Sequence, residues 1–354
     1  MQSVRKGVAE RDAISRRAAL RGASALGLIL PFAGCTALSS AVTRPDAPDI
    51  TADPTLLVAT TRKPVDAARA KPWFGTERAA KVSFARARLV PPDQGRFSLA
   101  AVGLGYWSLE GVELVSRFGE LLPANPARRD VLLYVHGFNQ SFETAALDAA
   151  RLSTSVQFHG STMIFTWPSK EKLFDYGYDR ESAMWSRDAM ERLLTALIAN
   201  DRIGRIHIVA HSVGTMLSME ALRQVYARNG IAGVDKIGAV VFASPDIDMD
   251  VFTSSLQRIP PLAPKITVIT ATNDRALAVA GWIAGGMTRV GAAEKEQLEK
   301  LGLRVIDASA QGWGIINHDL FLSNDQITTV IRRAIEGTPD RLSSAMSAQP
   351  EPPQ

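Results

Sequence analysis

A serine between two small residues is the first candidate for chemistry. In Ala210-His211-Ser212-Val213-Gly214, the positions two before and two after Ser212 carry a methyl group and a hydrogen. A buried-type apolar run leads into the motif, and a helical pattern leads away from it. A sharp strand-to-helix turn of this kind exposes a serine Oγ, and the side chains two before and two after it are expected to crowd each other, so both must be small. The helix N-terminus behind it supplies amide donors and positive potential. The chemistry is nucleophilic attack on an acyl carbon, given a base for the proton and donors for the oxyanion. The plainer alternative is a serine that caps its helix through the hydroxyl.

The partners are sought by position. Tyr134-Val135-His136-Gly137-Phe138-Asn139 ends a second apolar run in His-Gly just before a helix. A loop there provides one oxyanion amide and the residue after the nucleophile the other, so Phe138 and Val213 are the expected donors. The glycine lets the backbone approach a substrate closely. The chain has five histidines. His136 and His211 belong to the two turns, His207 lies within a strand, and His159 comes before the serine. Only His318 satisfies the order serine, acid, histidine. The acid is Asp274, in the loop after residues 266–271, or its competitor Asp246, one strand earlier. Asp246, Asp248 and Asp250 could suggest a metal site, but acids at a helix start more often cap it. The expected substrate pocket takes in His136, Gly137, Asn139, Trp167 and His211, with Phe138 and Trp313 as apolar wall; a core role is equally open to Trp167, Phe138 and Trp313. No metal or organic cofactor is implied.

These residues need a scaffold. Apolar runs at 131–135, 162–167, 205–210, 237–243, 266–271 and 303–306 are continuous rather than alternating, as in strands buried on both faces of a parallel sheet. Helical patterns at 142–156, 180–200, 213–227, 294–301 and 326–335 separate them. The fold class is therefore α/β, a doubly wound, mostly parallel sheet. Earlier strands at 56–60, 82–90 and 106–115 are expected as antiparallel additions at one edge. The short piece from 244 to 264 leaves no room for a large lid.

Together, these motifs resemble the α/β-hydrolase (esterase/lipase) superfamily, and more narrowly a bacterial group of α/β hydrolases without assigned function. The resemblance runs from about Thr60 to Gly337. It rests on His136-Gly137-Phe138-Asn139, Phe165-Thr166-Trp167-Pro168-Ser169, Ala210-His211-Ser212-Val213-Gly214, Ala243-Ser244-Pro245-Asp246-Ile247-Asp248, Thr272-Asn273-Asp274-Arg275-Ala276-Leu277 and Asn317-His318. Such groups often have Gly-His at the last motif and Met at position 213. The resemblance implies an α/β-hydrolase fold, a Ser212–Asp274–His318 triad, and cleavage of an ester-containing small molecule or lipid. A catalytically silent lipid- or protein-binding relative and an acyltransferase are the alternatives.

Composition and charge narrow the partners. The chain has 354 residues, 46% apolar and 21% charged, which excludes a disordered or collagen-like chain. One cysteine excludes an internal disulfide and a cysteine-built metal cluster. The formal net charge is +4, from 40 basic and 36 acidic residues. Residues 1–34 hold six basic side chains (Arg5, Lys6, Arg11, Arg16, Arg17, Arg21) and two acidic ones (Glu10, Asp12). The remainder has 40 − 6 = 34 basic and 36 − 2 = 34 acidic residues, net zero. That balance gives no support for nucleic-acid binding. The basic start resembles a twin-arginine export signal. An uncharged run from Gly22 follows and ends in Phe32-Ala33-Gly34-Cys35, which resembles a lipobox. The expected organisation is an export signal over 1–35 with lipidation at Cys35, a Ser/Pro-containing tether over 36–54, a hydrolase domain over 55–337 and a disordered tail over 338–354. The protein would be exported and anchored in the cell envelope through its N-terminal lipid.

Overall fold

The computed structural model describes residues 50, 54–65, 71–92, 107–122, 129–271, 288–309, 320–322 and 324–337. Among these residues, nine strands form one sheet: β1 (Thr55–Pro64), β2 (Phe74–Val90), β3 (Ser108–Val115), β4 (Arg129–Val135), β5 (Ser161–Thr166), β6 (Ile203–His211), β7 (Ile237–Ala243), β8 (Ile266–Thr270) and β9 (Arg304–Asp307). Their spatial order is β3-β2-β1-β5-β4-β6-β7-β8-β9. Every neighbouring pair from β1 to β9 is parallel, and β2 pairs antiparallel with both β1 and β3. The sheet is therefore the expected mostly parallel one, with one correction. β1 is a parallel strand beside β5, and only β2 runs against the sheet. A short first strand carries no sign of its direction, because direction depends on which strand it meets.

Eight α-helices are described: α1 (Phe118–Leu121), α2 (Phe142–Ser155), α3 (Tyr176–Trp185), α4 (Arg187–Ala199), α5 (Val213–Asn229), α6 (Met249–Gln257), α7 (Lys295–Glu299) and α8 (Asp325–Glu336). Side chains alternate across the strands and divide the core in two. Leu133 and Val135 of β4 pack with Met190 and Leu194 of α4, Leu217 of α5 and Phe252 of α6. Leu132 and Tyr134 face the other way, toward Phe142 and Ala146 of α2 and Ile331 of α8. Helices thus cover both faces, as the double winding expected from the sequence requires.

The single helix expected over 180–200 is two helices interrupted at Ser186. The Ser186 hydroxyl donates to the Ser182 carbonyl at 2.9 Å and lies 2.8 Å from Thr61 Oγ1, tying the junction to β1. α6, α1 and the first turn of α3 carried too short a pattern to be read from sequence. The piece between β7 and β8 holds α6 and one 3₁₀ turn, consistent with the expected lack of a large insertion there.

The chain reverses its direction of travel along the sheet at β4, which has β5 on one side and β6 on the other. Such a switch point opens a crevice at the carboxyl ends of the strands. Both sequence motifs emerge there, one after β4 and one after β6.

Phe142 fastens α2 at this end. It is fully buried and meets Phe74 edge-on at 4.8 Å and Trp73 at 6.5 Å, so two aromatic contacts join the antiparallel hairpin to the helix. Phe142→Ala is expected to lower unfolding free energy by about 3–5 kcal/mol, measured by urea denaturation.

Candidate active site

Ser212 sits at φ 49°, ψ −121°, a backbone conformation that a residue with a side chain adopts only at a cost of order 1–3 kcal/mol. It occupies the cap position of α5, yet its side chain makes no cap hydrogen bond. Ser141, Asp248 and Asn324 cap α2, α6 and α8 through their side chains from ordinary extended backbone. The capping alternative therefore fails at Ser212. The turn is held from both sides: the Ser212 N–H donates to the Ala243 carbonyl at 3.0 Å, and its carbonyl accepts from Asp246 N–H at 3.3 Å. Val213 is the first residue of α5, where an amide has no partner within the helix.

The small residues are needed for a reason the sequence did not reveal. A Cβ on Gly214 would stand 2.4 Å from the His136 carbonyl oxygen and 2.8 Å from that of Val135. The crowding comes from the end of β4 and not from Ala210. A Cβ on Gly137 would stand 2.8 Å from His211 Nδ1 and 3.1 Å from Ser212 Cβ. The loop after β4 therefore lies directly against the serine turn, with hydrogens as the only side chains that fit. Phe138 is half-buried beside it, and Asn139 takes positive φ (58°), which asparagine tolerates better than most residues.

His136 and Trp167, expected on a pocket wall, lie beneath the site, and neither has exposed surface. Their rings stack at 4.6 Å. His136 Nε2 accepts from the Trp167 backbone N–H and the Thr166 hydroxyl, both at 3.1 Å, and the Trp167 indole N–H donates to the His136 carbonyl at 3.0 Å. That leaves Nδ1 to donate to the Gly137 carbonyl at 2.8 Å. Burial pushes the imidazole pKa down to about 3, with the nearby Arg62 charge adding to the effect. His211, also buried, packs on Phe321 at 4.8 Å.

Arg62 is the fully buried cation of this layer. Its Nε donates to Thr166 Oγ1 at 2.8 Å and its Nη2 to the Gln140 carbonyl at 2.6 Å. Its carboxylate partner, Glu171, is 3.5 Å away and 38% exposed. Burial lowers the Arg62 pKa to about 10, which leaves it charged at neutral pH. Asp179 completes the support: its carboxylate accepts from Ser169 Oγ at 2.6 Å and from the N–H groups of Lys170 and Asn139 at 2.7 and 3.2 Å. Sequence reading missed Arg62 and Asp179, since neither periodicity nor motif distinguishes a buried charge from a surface one.

Asp246, the competing triad acid, is engaged elsewhere. Its Oδ2 accepts from the Tyr176 hydroxyl at 2.5 Å, and its Oδ1 lies 3.1 Å from Arg289 Nε and 3.5 Å from Arg180 Nη1. Asp248 accepts from the Asp250 and Val251 N–H groups, the capping role preferred for this acidic series. Asp274, His318, Trp313 and Cys35 lie outside the described residues.

The depressed His136 pKa has a definite sign. Between about pH 6.5 and pH 3 the unfolded chain binds a proton there that the folded chain does not. Stability is therefore full above pH 6.5 and lost as pH falls toward 3, by up to about 1.4 kcal/mol per pH unit. Urea midpoints measured from pH 7 to pH 4 are expected to fall less steeply in His136→Gln than in wild type.

Comparison with known proteins places this geometry. An uncharacterized Nostoc protein, alr1448, is 25% identical over 124 residues, which is 28% of this chain and 32% of that protein. The chain thus spans about a third of that relative. Among solved structures, the apo form of ESTFA is 14% identical, covering 75% of this chain and 83% of its own, with a TM-score of 0.38. A cutinase-like protein from Cryptococcus sp. is 14% identical, covering 61% and 97%, with a TM-score of 0.36. Residues 114–334, well over half the chain, match the family described as alpha/beta hydrolase of unknown function (DUF900). A strained serine at the switch point of a mostly parallel sheet agrees with that match, and the protein belongs to this α/β-hydrolase family.

Proposed function

We propose that the protein is a serine hydrolase that cleaves esters through an acyl-enzyme. The observation that carries the reading is the strained, uncapped Ser212 where β6 turns into α5, beside the end of β4. Strain of this kind persists where surrounding structure over-determines it, and functional sites are where it concentrates. In the reaction, Ser212 Oγ attacks the ester carbonyl while His318 takes its proton. Asp274 orients the imidazole and stabilises the imidazolium. The amides of Val213 and Phe138 hold the oxyanion; losing one such donor costs about 2.7–4 kcal/mol of barrier. Collapse expels the alcohol with the proton from His318, and water then repeats the sequence to release the acid.

Asp274 is preferred to Asp246 because the Asp246 carboxylate is bonded to Tyr176 and paired with Arg289. The membrane side of the reading rests on the sequence alone: export by the N-terminal signal and a diacylglyceryl group on Cys35.

A fluorophosphonate probe is expected to label wild type and not Ser212→Ala. Ser212→Ala, His318→Gln and Asp274→Asn are expected to lower kcat for short 4-nitrophenyl esters by roughly 10²–10⁶-fold, least for the aspartate. Ester hydrolysis by Ser212→Ala at the wild-type rate would end the triad reading. If Asp246→Asn, rather than Asp274→Asn, showed the catalytic loss while remaining folded, the acid would be reassigned. Fractionation of expressing cells checks the anchor: Cys35→Ala should move the protein from the membrane to the soluble fraction.

A further inference from the structure

One charged group on the neighbours of the nucleophile has no catalytic part to play. Arg180, on α3, donates from Nη1 to the Tyr176 hydroxyl at 3.1 Å and from Nη2 to the Met216 sulfur at 3.3 Å. Both neighbours border the site. The Tyr176 ring meets Phe138 edge-on at 5.4 Å, and Met216 lies one turn into α5 from Ser212. Asp246, which Arg180 also faces, donates its backbone N–H to the Ser212 carbonyl. Phe138, Tyr176, Arg180 and Met216 are all half-buried, so they form a wall that remains partly open to solvent.

The charges of this wall do not balance. Asp246 has its counterion in Arg289: both side chains are 2% exposed, and they approach to 3.1 Å. Arg180 is 26% exposed and donates from Nη1 to the same carboxylate at 3.5 Å, whereas Arg289 Nε, though closer, is aligned for no hydrogen bond. One carboxylate thus serves two guanidinium groups, which leaves one positive charge over. Glu181, the other acid close to Arg180, is exposed and screened by water. A thioether is a weak acceptor for a guanidinium N–H. With Nη1 held by Tyr176 and Asp246, the Nη2 arm that ends on sulfur offers an incoming carboxylate a far stronger hydrogen bond than it now makes.

We infer that Arg180 makes the wall beside Ser212 a recognition site for a carboxylate, so that the preferred ester carries a negatively charged carboxyl group on its acyl or alcohol part. This rests on the serine-hydrolase reading and specifies its substrate class. Arg180 acts as a specificity residue: it takes no proton and touches no reacting atom.

Two matched ester pairs test it. Mono-4-nitrophenyl glutarate and 4-nitrophenyl pentanoate differ in charge on the acyl side. The 4-carboxyphenyl and 4-carbamoylphenyl esters of butyrate differ on the alcohol side. In wild type, kcat/KM is expected to favour the charged member of at least one pair by about tenfold, a preference that shrinks with added salt. Arg180→Gln should reduce that ratio to about one, because the loss in kcat/KM falls on the charged ester far more than on its neutral match. Met216→Glu keeps Arg180 but supplies it with a carboxylate, and should erase the preference too; it decides the matter if Arg180→Gln does not fold. Absence of preference in both pairs, or a preference that survives in the folded variants, overturns the inference and leaves Arg180 as a structural partner of Asp246. Failure of the underlying reading looks different: wild type would hydrolyse neither member of either pair, and Ser212 would resist the fluorophosphonate.

Discussion

The site depends on one close approach, between the end of β4 and the start of α5. Carbonyl oxygens of Val135 and His136 lie where a side chain at position 214 would have to go. At position 137, the His211 ring and the Ser212 side chain leave equally little space. Two glycines at these positions let a loop and a helix start share a volume that no pair of ordinary residues could. The unusual backbone of Ser212 follows from this, because a relaxed turn would carry the helix away from β4. Interiors are close-packed and bistable rather than soft, so the contact is either made fully or not at all.

Close backbone approach brings polar groups together out of water, and their partners must come from within. The layer under the loop supplies them. Arg62, Thr166, His136 and Trp167 form a connected set in which most donors meet a carbonyl, hydroxyl or imidazole acceptor. A buried cation is costly to desolvate, and the 3.5 Å approach of the half-exposed Glu171 offsets little of that cost. Carbonyls such as that of Gln140 do more, since they belong to the segment that must be fixed. A neutral His136 is part of the same arrangement: burial disfavours its charged form, and the nearby Arg62 charge adds to that.

Much of this was legible in the sequence where periodicity or a short motif reported it. Continuous apolar runs located the parallel strands to within a few residues, and Ala210 to Gly214 marked the turn that proved strained. What remained hidden required knowledge of neighbours. The direction of β1 is set by its docking beside β5, about a hundred residues later. The interruption at Ser186 comes from a hydroxyl contact with Thr61. Gly214 was read as small to spare Ala210, whereas the crowding partner is the backbone after a different strand. His136 and Trp167 carry residue types common in pockets, and only burial assigns them to the support beneath. Tyr176, Asp179 and Arg180 sit in a stretch too rich in charge and aromatic rings for any single period to emerge.

The placement of β1 has a consequence for how the molecule comes to exist. This strand is synthesised before every other parallel strand, yet its partner on the parallel side is complete only at Thr166. Its antiparallel hairpin with β2 can form early, but the exposed edge must wait while more than seventy further residues leave the ribosome. Contacts at such separation are slow to close, and an unpaired strand edge is prone to pair with another chain meanwhile. Arg62 sits on that waiting strand, and Gln140 and Thr166 reach it only when β5 docks. The support for the loop after β4 therefore cannot assemble until β5 is made, and a chain stalled before that step would carry an open strand edge prone to aggregate.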